Sequence, residues 1–226
     1  MTNESHVDKS ILYSSDLYDY YTSSSVWIYD YFITKRICQI YMANGAGRQL
    51  LLDVGTGTAR LLIKMSRMPE FAALEMIGTD YFEDMIVKAR RNVVDAGLNK
   101  RIRIKRDDVH AMQFHECFCD LLMSRSAVHH WRNPIRAFQE IYRVMKPGGI
   151  AIIHDIRRDA PPNVKAQFQR ARAALGVPLS NFDEKYTQGE IKQMLMKAGL
   201  SHCTSVTAPN SGPAALGFEI VVFRET

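Results

Sequence analysis

From Leu50 onward, the apolar positions of this chain fall into short runs separated by stretches with helical spacing. Leu50–Val54 is a continuous apolar run of strand length, and Leu61, Leu62 and Met65 follow on one helix face. The runs Leu74–Thr79, Ile102–Lys105, Asp120–Met123 and Ile150–His154 read as further strands. Met85, Ile86, Ala89 and Val93 mark a helix that ends near Gly97. Ile135–Met145 is another helix, stopped by Pro147-Gly148-Gly149. Gly189–Ala198 is amphipathic and closes at Gly199. Ser201–Thr207 and Gly217–Phe223 then read as strands joined by a loop short enough for an antiparallel pair. This alternation predicts an α/β, Rossmann-like doubly wound sheet of about seven strands with helices on both faces. The sheet should be mostly parallel, with an antiparallel C-terminal strand.

Two segments stand outside the alternation. Val26–Met42 has Ile33, Ile37 and Ile40 or Tyr41 on one side and predicts a helix. Arg157–Lys185 carries a Pro161-Pro162 break followed by a basic helix, Val164–Leu175. Both belong over the carboxyl edge of the strands, where doubly wound sheets bind ligands. The expected division is an N-terminal helical cap over 1–45 and a binding domain over 46–226, with 157–186 as a lid-like insertion.

Composition narrows the class. The chain has 226 residues, 46% of them hydrophobic and 23% charged, which suits one domain with a sizeable core. The net charge of +5 gathers most densely at Lys88–Arg91 and Lys100–Arg106. There it reads as the polar face of a helix and the flank of a strand, and argues against nucleic acid as the partner. Cys38, Cys117, Cys119 and Cys203 lack zinc spacing, so no metal centre is expected and the thiols should be reduced. Met1–Ser10 is polar, and Val26–Met42 carries Asp30, Lys35 and Arg36 in a run too short for a bilayer. A cytoplasmic protein with no membrane partner is expected.

The chemistry concentrates at strand ends. Asp53-Val54-Gly55-Thr56-Gly57-Thr58-Ala59 is a strand that runs into a glycine turn and opens a helix, bringing backbone amides close to a polar ligand. Asp80 ends the second strand and can accept hydrogen bonds from ribose hydroxyls. Asp107 and Asp108 end the third, with Asp108 and the Val109 amide the better placed for an adenine ring. His129 and His130 follow the fourth strand, and His154-Asp155 ends the fifth. The imidazoles there are candidate general bases, with His130 ahead of His129, and Asp155 is a further candidate to bind or deprotonate an acceptor. Arg157 and Arg158 could attract an acidic substrate group.

These residues, with Gly78-Thr79-Asp80, Ala127-Val128-His129-His130-Trp131 and Arg143–Gly149, resemble the class I S-adenosylmethionine-dependent methyltransferases over roughly residues 50–155. Tyr186–Leu200 is similar to the family's late helix. The resemblance implies S-adenosylmethionine as cofactor and methyl transfer to a nucleophilic O, N, S or C atom of a small molecule. It implies that Asp53, Gly55 and Gly57 line the methionine part, Asp80 the ribose, Asp108, Val109 and Met85 the adenine, and that Ser124 sits near the sulfonium. Ala59 departs from the family's third glycine. The family's N-terminal segment folds over the cofactor, which gives a role to one or two of Tyr13, Tyr18, Tyr20, Tyr21, Tyr29 and Tyr31. The same segment is a candidate homodimer interface. The alternatives are a protein of this fold that binds the cofactor without transferring methyl, and an RNA methyltransferase.

Overall fold

The computed structural model describes residues 15–24, 27–43 and 49–226. Met1–Ser10, Tyr13, Val26 and the expected boundary between 45 and 46 lie outside the described residues, as does the side chain of Tyr29.

The strands β1 (Leu50–Val54), β2 (Glu75–Asp80), β3 (Ile102–Arg106), β4 (Cys119–Arg125), β5 (Met145–Ile156), β6 (Thr204–Thr207) and β7 (Gly217–Phe223) form one sheet in the order β3-β2-β1-β4-β5-β7-β6. β1 to β5 pair in parallel, and β7 runs antiparallel to both β5 and β6. Alternate residues of one strand enter opposite cores. Leu52 and Val54 join one cluster and Leu51 the other; Ala151 and Ile153 part from Ile150 and Ile152 in the same way. Both faces of the central strands are therefore buried, which is why they read as unbroken apolar runs. On one face pack α2 (Trp27–Ala43), α3 (Arg60–Ser66) and α4 (Glu83–Asp95); on the other pack α5 (Pro134–Val144) and α7 (Gln188–Lys197). Strand order reverses between β1 and β4, so the crevice at their carboxyl ends is the switch point where such a sheet takes its ligand.

Three elements differ from the sequence expectation. β5 begins at Met145, directly after α5, rather than at Ile150. The proline–glycine run does stop the helix, but Lys146–Gly149 is absorbed as a bulge. Cys119 pairs with Met145 and Leu121 with Ile150, leaving extra residues on β5 alone. The strand expected over 201–207 is a 3₁₀ turn at Ser201–Cys203 followed by the shorter β6. A helix α1 (Ser15–Ser24), which the hydrophobic pattern does not mark, precedes α2. It is held mainly by its acids: Asp19 accepts from Arg60 Nε at 2.8 Å and from Asn92 Nδ2 at 2.9 Å, and Asp16 meets Lys88. α6 (Pro162–Ala174) fills the segment between β5 and α7.

Candidate active site

The glycine turn is built by two strands. Gly55 and Thr56 both donate backbone N–H bonds to the Thr79 carbonyl, at 2.9 and 2.8 Å, and Gly57 N donates to Asp80 Oδ2 at 2.9 Å. The acid at the end of β2 thereby fixes the turn after β1. Gly55 and Gly57 hold φ of 76° and 56°. A Cβ on Gly55 would stand 2.7 Å from Ala127 Cβ, and one on Gly57 2.9 Å from the Tyr18 ring. No side chain fits at either place without displacement. Ala59, at the position of the third glycine, is itself left-handed at φ 63° and fully buried.

Above the turn lies a cavity of about 1270 Å³, larger than the roughly 300–1,000 Å³ of a typical single-ligand pocket. Its size suits a nucleoside-type ligand and a second molecule together. Of the residues expected to hold the cofactor, Gly55, Gly57, Asp80, Met85, Asp108 and Val109 all line it. Burial raises the Asp80 carboxyl above its ordinary range, against the Phe82 and Gly57 amides that it accepts. Asp108 behaves oppositely: burial pushes it up, but His110 and Arg132 hold it below the usual carboxylate range. Asp107 caps its own loop by accepting from the Asp108 and Gln113 amides.

Two expected cofactor residues do not reach the cavity wall. Ser124 is completely buried and its hydroxyl donates to the Val54 carbonyl at 2.7 Å, tying β4 to β1; its neighbours Arg125 and Ser126 line the cavity instead. The pleat turns each successive side chain to the other face, so the contact passes to the next residue. Asp53 is buried behind the turn, where loss of water raises its carboxyl to about 7, opposed by Thr56 and Arg125. Both residues shape the turn from below.

The histidines divide into two pairs. His129 Nδ1 lies 2.8 and 2.9 Å from the two oxygens of Asp155, and the His129 amide donates to Asp155 Oδ2 at 3.1 Å. Burial pushes the Asp155 carboxyl up, but His129 and Lys185 more than offset it and hold it low. An ionised Asp155 that accepts from Nδ1 leaves Nε2 as the ring nitrogen with a lone pair. His130 also lines the cavity, its ring tilted against that of His129 with the centroids 3.8 Å apart. On the other face of the sheet, His154 Nε2 meets Glu219 Oε2 at 2.9 Å, directly across the β5–β7 register, and Arg36 Nε of α2 stands 3.5 Å from Glu219.

Arg157 and Arg158 do not face the cavity. Arg157 donates to the Ala215 and Pro209 carbonyls, and Arg158 to backbone at Asp183 and Lys185 and to Glu190. They hold the loops around the site and leave no guanidinium for a substrate anion. Tyr18 and Tyr21 of α1, two of the N-terminal tyrosines expected over the cofactor, line the cavity, and the cap adds what the sequence reading missed: Thr22 from α1, Phe32 and Arg36 from α2, Phe168 and Arg172 from α6. The Arg172 guanidinium stacks over both Tyr21 and Phe168, at 4.6 and 5.6 Å, so α1 and α6 meet above the cavity. Tyr20 and Tyr31 are exposed, and Tyr41 is buried against Phe71. Arg125 is also new; its only sequence signal is a charge closing the apolar run of β4.

These residues fit S-adenosylmethionine. The turn keeps its backbone bare at Gly55 and Gly57, Asp80 and Asp108 bring carboxylates to successive strand ends, and a buried cation, Arg125, stands beside the turn. Among the described residues no cluster of His, Cys, Asp and Glu suited to a metal ion occurs, and no helix is long and apolar enough to cross a membrane.

Comparison with known proteins agrees. The family model described as methyltransferase domain matches residues 52–153. The chain is 29% identical to a demethylmenaquinone methyltransferase of Bacteroides fragilis over 168 residues, 68% of each protein. It is 26% identical to a ubiquinone/menaquinone biosynthesis C-methyltransferase of Coxiella burnetii, over 72% of this chain and 63% of that one. Among solved structures, a putative S-adenosylmethionine-dependent methyltransferase from Methanococcus maripaludis superposes with a TM-score of 0.74 at 22% identity, covering 94% of this chain and 92% of the other. An S-adenosylmethionine-dependent methyltransferase from Aquifex aeolicus gives 0.64 at 19% identity, covering 84% and 88%. With its sheet order, its glycine turn and the carboxylates at its strand ends, the chain resembles the class I S-adenosylmethionine-dependent methyltransferases, and residues 52–153 carry a methyltransferase domain.

Proposed function

We propose that the enzyme methylates a small molecule held at the His129 end of the cavity, and that His129 is the general base. The observation that carries this reading is the His129–Asp155 pair, buried and aligned at 2.8 Å at the carboxyl edge of β4 and β5. The cofactor, when bound, supplies a methyl group on a positively charged sulfur, already activated toward a nucleophile. The protein's part is to align the acceptor, exclude water and remove a proton. Asp155 fixes the His129 tautomer and stabilises the imidazolium that forms when Nε2 takes the acceptor's proton. Phe32 and Phe168 supply apolar walls suited to a flat ring, and α1, α2 and α6 roof the cavity over an acceptor of modest size. That roof favours a small molecule over RNA.

The two curated relatives are named for carbon methylation in quinone biosynthesis or for demethylmenaquinone. A hydroxylated aromatic ring is accordingly the acceptor class to test first, since loss of the hydroxyl proton makes the ring carbon nucleophilic. Incubation with methyl-labelled S-adenosylmethionine and a panel of quinols, phenols and amines tests the reading. Labelled product from a ring acceptor supports it; turnover with RNA alone overturns it. Segment 157–186 serves as the lid and 1–45 as the cap. The exposed Tyr20, Tyr31 and Met42 make the α1–α2 surface the contact for a homodimer, which sedimentation at graded concentrations tests.

A further inference from the structure

Arg125 closes β4 and lines the cavity, yet its side chain is only 11% exposed. Among the described residues its carboxylate partner is Asp30 of α2, whose Oδ1 stands 3.3 Å from Nη1. That contact lacks hydrogen-bond geometry: Asp30 Oδ1 has no hydrogen-bond partner, and among the described residues the Arg125 guanidinium, which faces the cavity, makes this ion pair without a hydrogen bond. A guanidinium carries five N–H donors, and those of Arg125 are turned to the cavity wall, where a ligand can meet them. The arrangement is that of a cation waiting for an anion.

Register locates the anion. Asp53 pairs with Met123 in the β1–β4 ladder, so Arg125 lies two residues further on, alongside Gly55. Tyr18, whose ring covers Gly57, also lies within the electrostatic reach of Arg125. An anion here sits over the glycine turn, on the α2 face of the sheet. His129 and Asp155 lie toward the α5–α7 face, because Asp155 alternates with His154 along β5.

We infer that Arg125 receives the carboxylate of the amino-acid tail of the cofactor, with Asp30 as the positioning residue that holds the guanidinium from α2. The inference rests on the cofactor assignment but not on the acceptor. Fork-like pairing of guanidinium and carboxylate is geometrically specific and strong.

Calorimetry on the full chain with two probes tests it: S-adenosylhomocysteine, which has the tail, and 5′-methylthioadenosine, which lacks it. Arg125→Met should weaken S-adenosylhomocysteine about 10- to 100-fold and leave 5′-methylthioadenosine within about twofold. Arg125→Lys should fall between. Because Arg125→Met strands a buried Asp30, the double variant Arg125→Met/Asp30→Asn provides a folded control and should show the same selective loss. A probe on the wild type needs no variant: the methyl ester of S-adenosylhomocysteine should bind about 10- to 100-fold more weakly than the acid. Equal losses for both nucleosides, an unchanged S-adenosylhomocysteine affinity in Arg125→Met, or equal affinity for acid and ester would overturn the inference. Failure of the wild type to bind either nucleoside would instead count against the cofactor assignment.

Discussion

Ala59 bears a residue-scale cost that can be measured. An L-residue with a Cβ held at φ 63° sits in the left-handed region, which disfavours it by about 1–2 kcal/mol relative to glycine. Ala59→Gly should therefore stabilise the fold by about 1 kcal/mol, after the extra freedom glycine gains in the unfolded chain. Thermal unfolding should show a rise of about 2–4 °C; a fall would show that the Ala59 methyl group, fully buried, contributes more by packing than its backbone costs. Asp53 makes the second such test. Burial raises its carboxyl from 3.8 to about 7, so between those values the unfolded chain has released a proton that the folded chain keeps. Stability from this group is complete below pH 3.8 and declines as pH rises through about 7. Asp53→Asn should be more stable than the wild type at pH 8, with the difference vanishing near pH 4; a pH-independent difference would contradict the assignment. The sequence marked Asp53, Gly55, Asp80 and Asp108 because each ends a strand run. It could not say which side chain turns down: one residue of pleat decides between Ser124 and Arg125.

At the scale of elements, α1 was illegible because its stability is not periodic. Its aromatic and acidic residues make no apolar stripe, and a helix of 10 residues is too short to persist alone. What holds it is Asp19, which reaches Arg60 at the start of α3 and Asn92 on α4. Burial raises the Asp19 carboxyl, but Arg60, Thr58 and Asn92 pull it below its ordinary value. That contribution is present above the unfolded pKa near 3.8 and is lost as pH falls through the lower folded value. Asp19→Ala should speed amide exchange across 15–24 selectively and weaken S-adenosylhomocysteine binding, while the melting temperature changes little. Unchanged exchange there would mean that packing, not this carboxylate, seats the helix. The bulge in β5 was equally hidden. Pro147-Gly148-Gly149 is a terminator in any local reading, and only pairing with β4 on both sides of it reveals one strand.

For the molecule as a whole, the alternation of strand and helix, the mostly parallel sheet and the glycine turn were readable because a doubly wound sheet imposes them on sequence directly. The upper wall of the cavity was not, since it is assembled from α1, α2, α6 and β7, which are distant in sequence and meet only over the sheet edge. His154 exemplifies this: its partner Glu219 is 65 residues away and carries no motif. Catalysis as proposed needs both halves of the cavity, a cofactor held at the turn and a proton removed by His129. Its most direct test follows single-turnover methyl transfer from labelled S-adenosylmethionine to a quinol acceptor in wild type and His129→Gln, alongside S-adenosylhomocysteine binding. The expected result is transfer slowed roughly 100- to 10,000-fold in the variant with binding within a few fold. Transfer at the wild-type rate in His129→Gln would show that His129 is not the base.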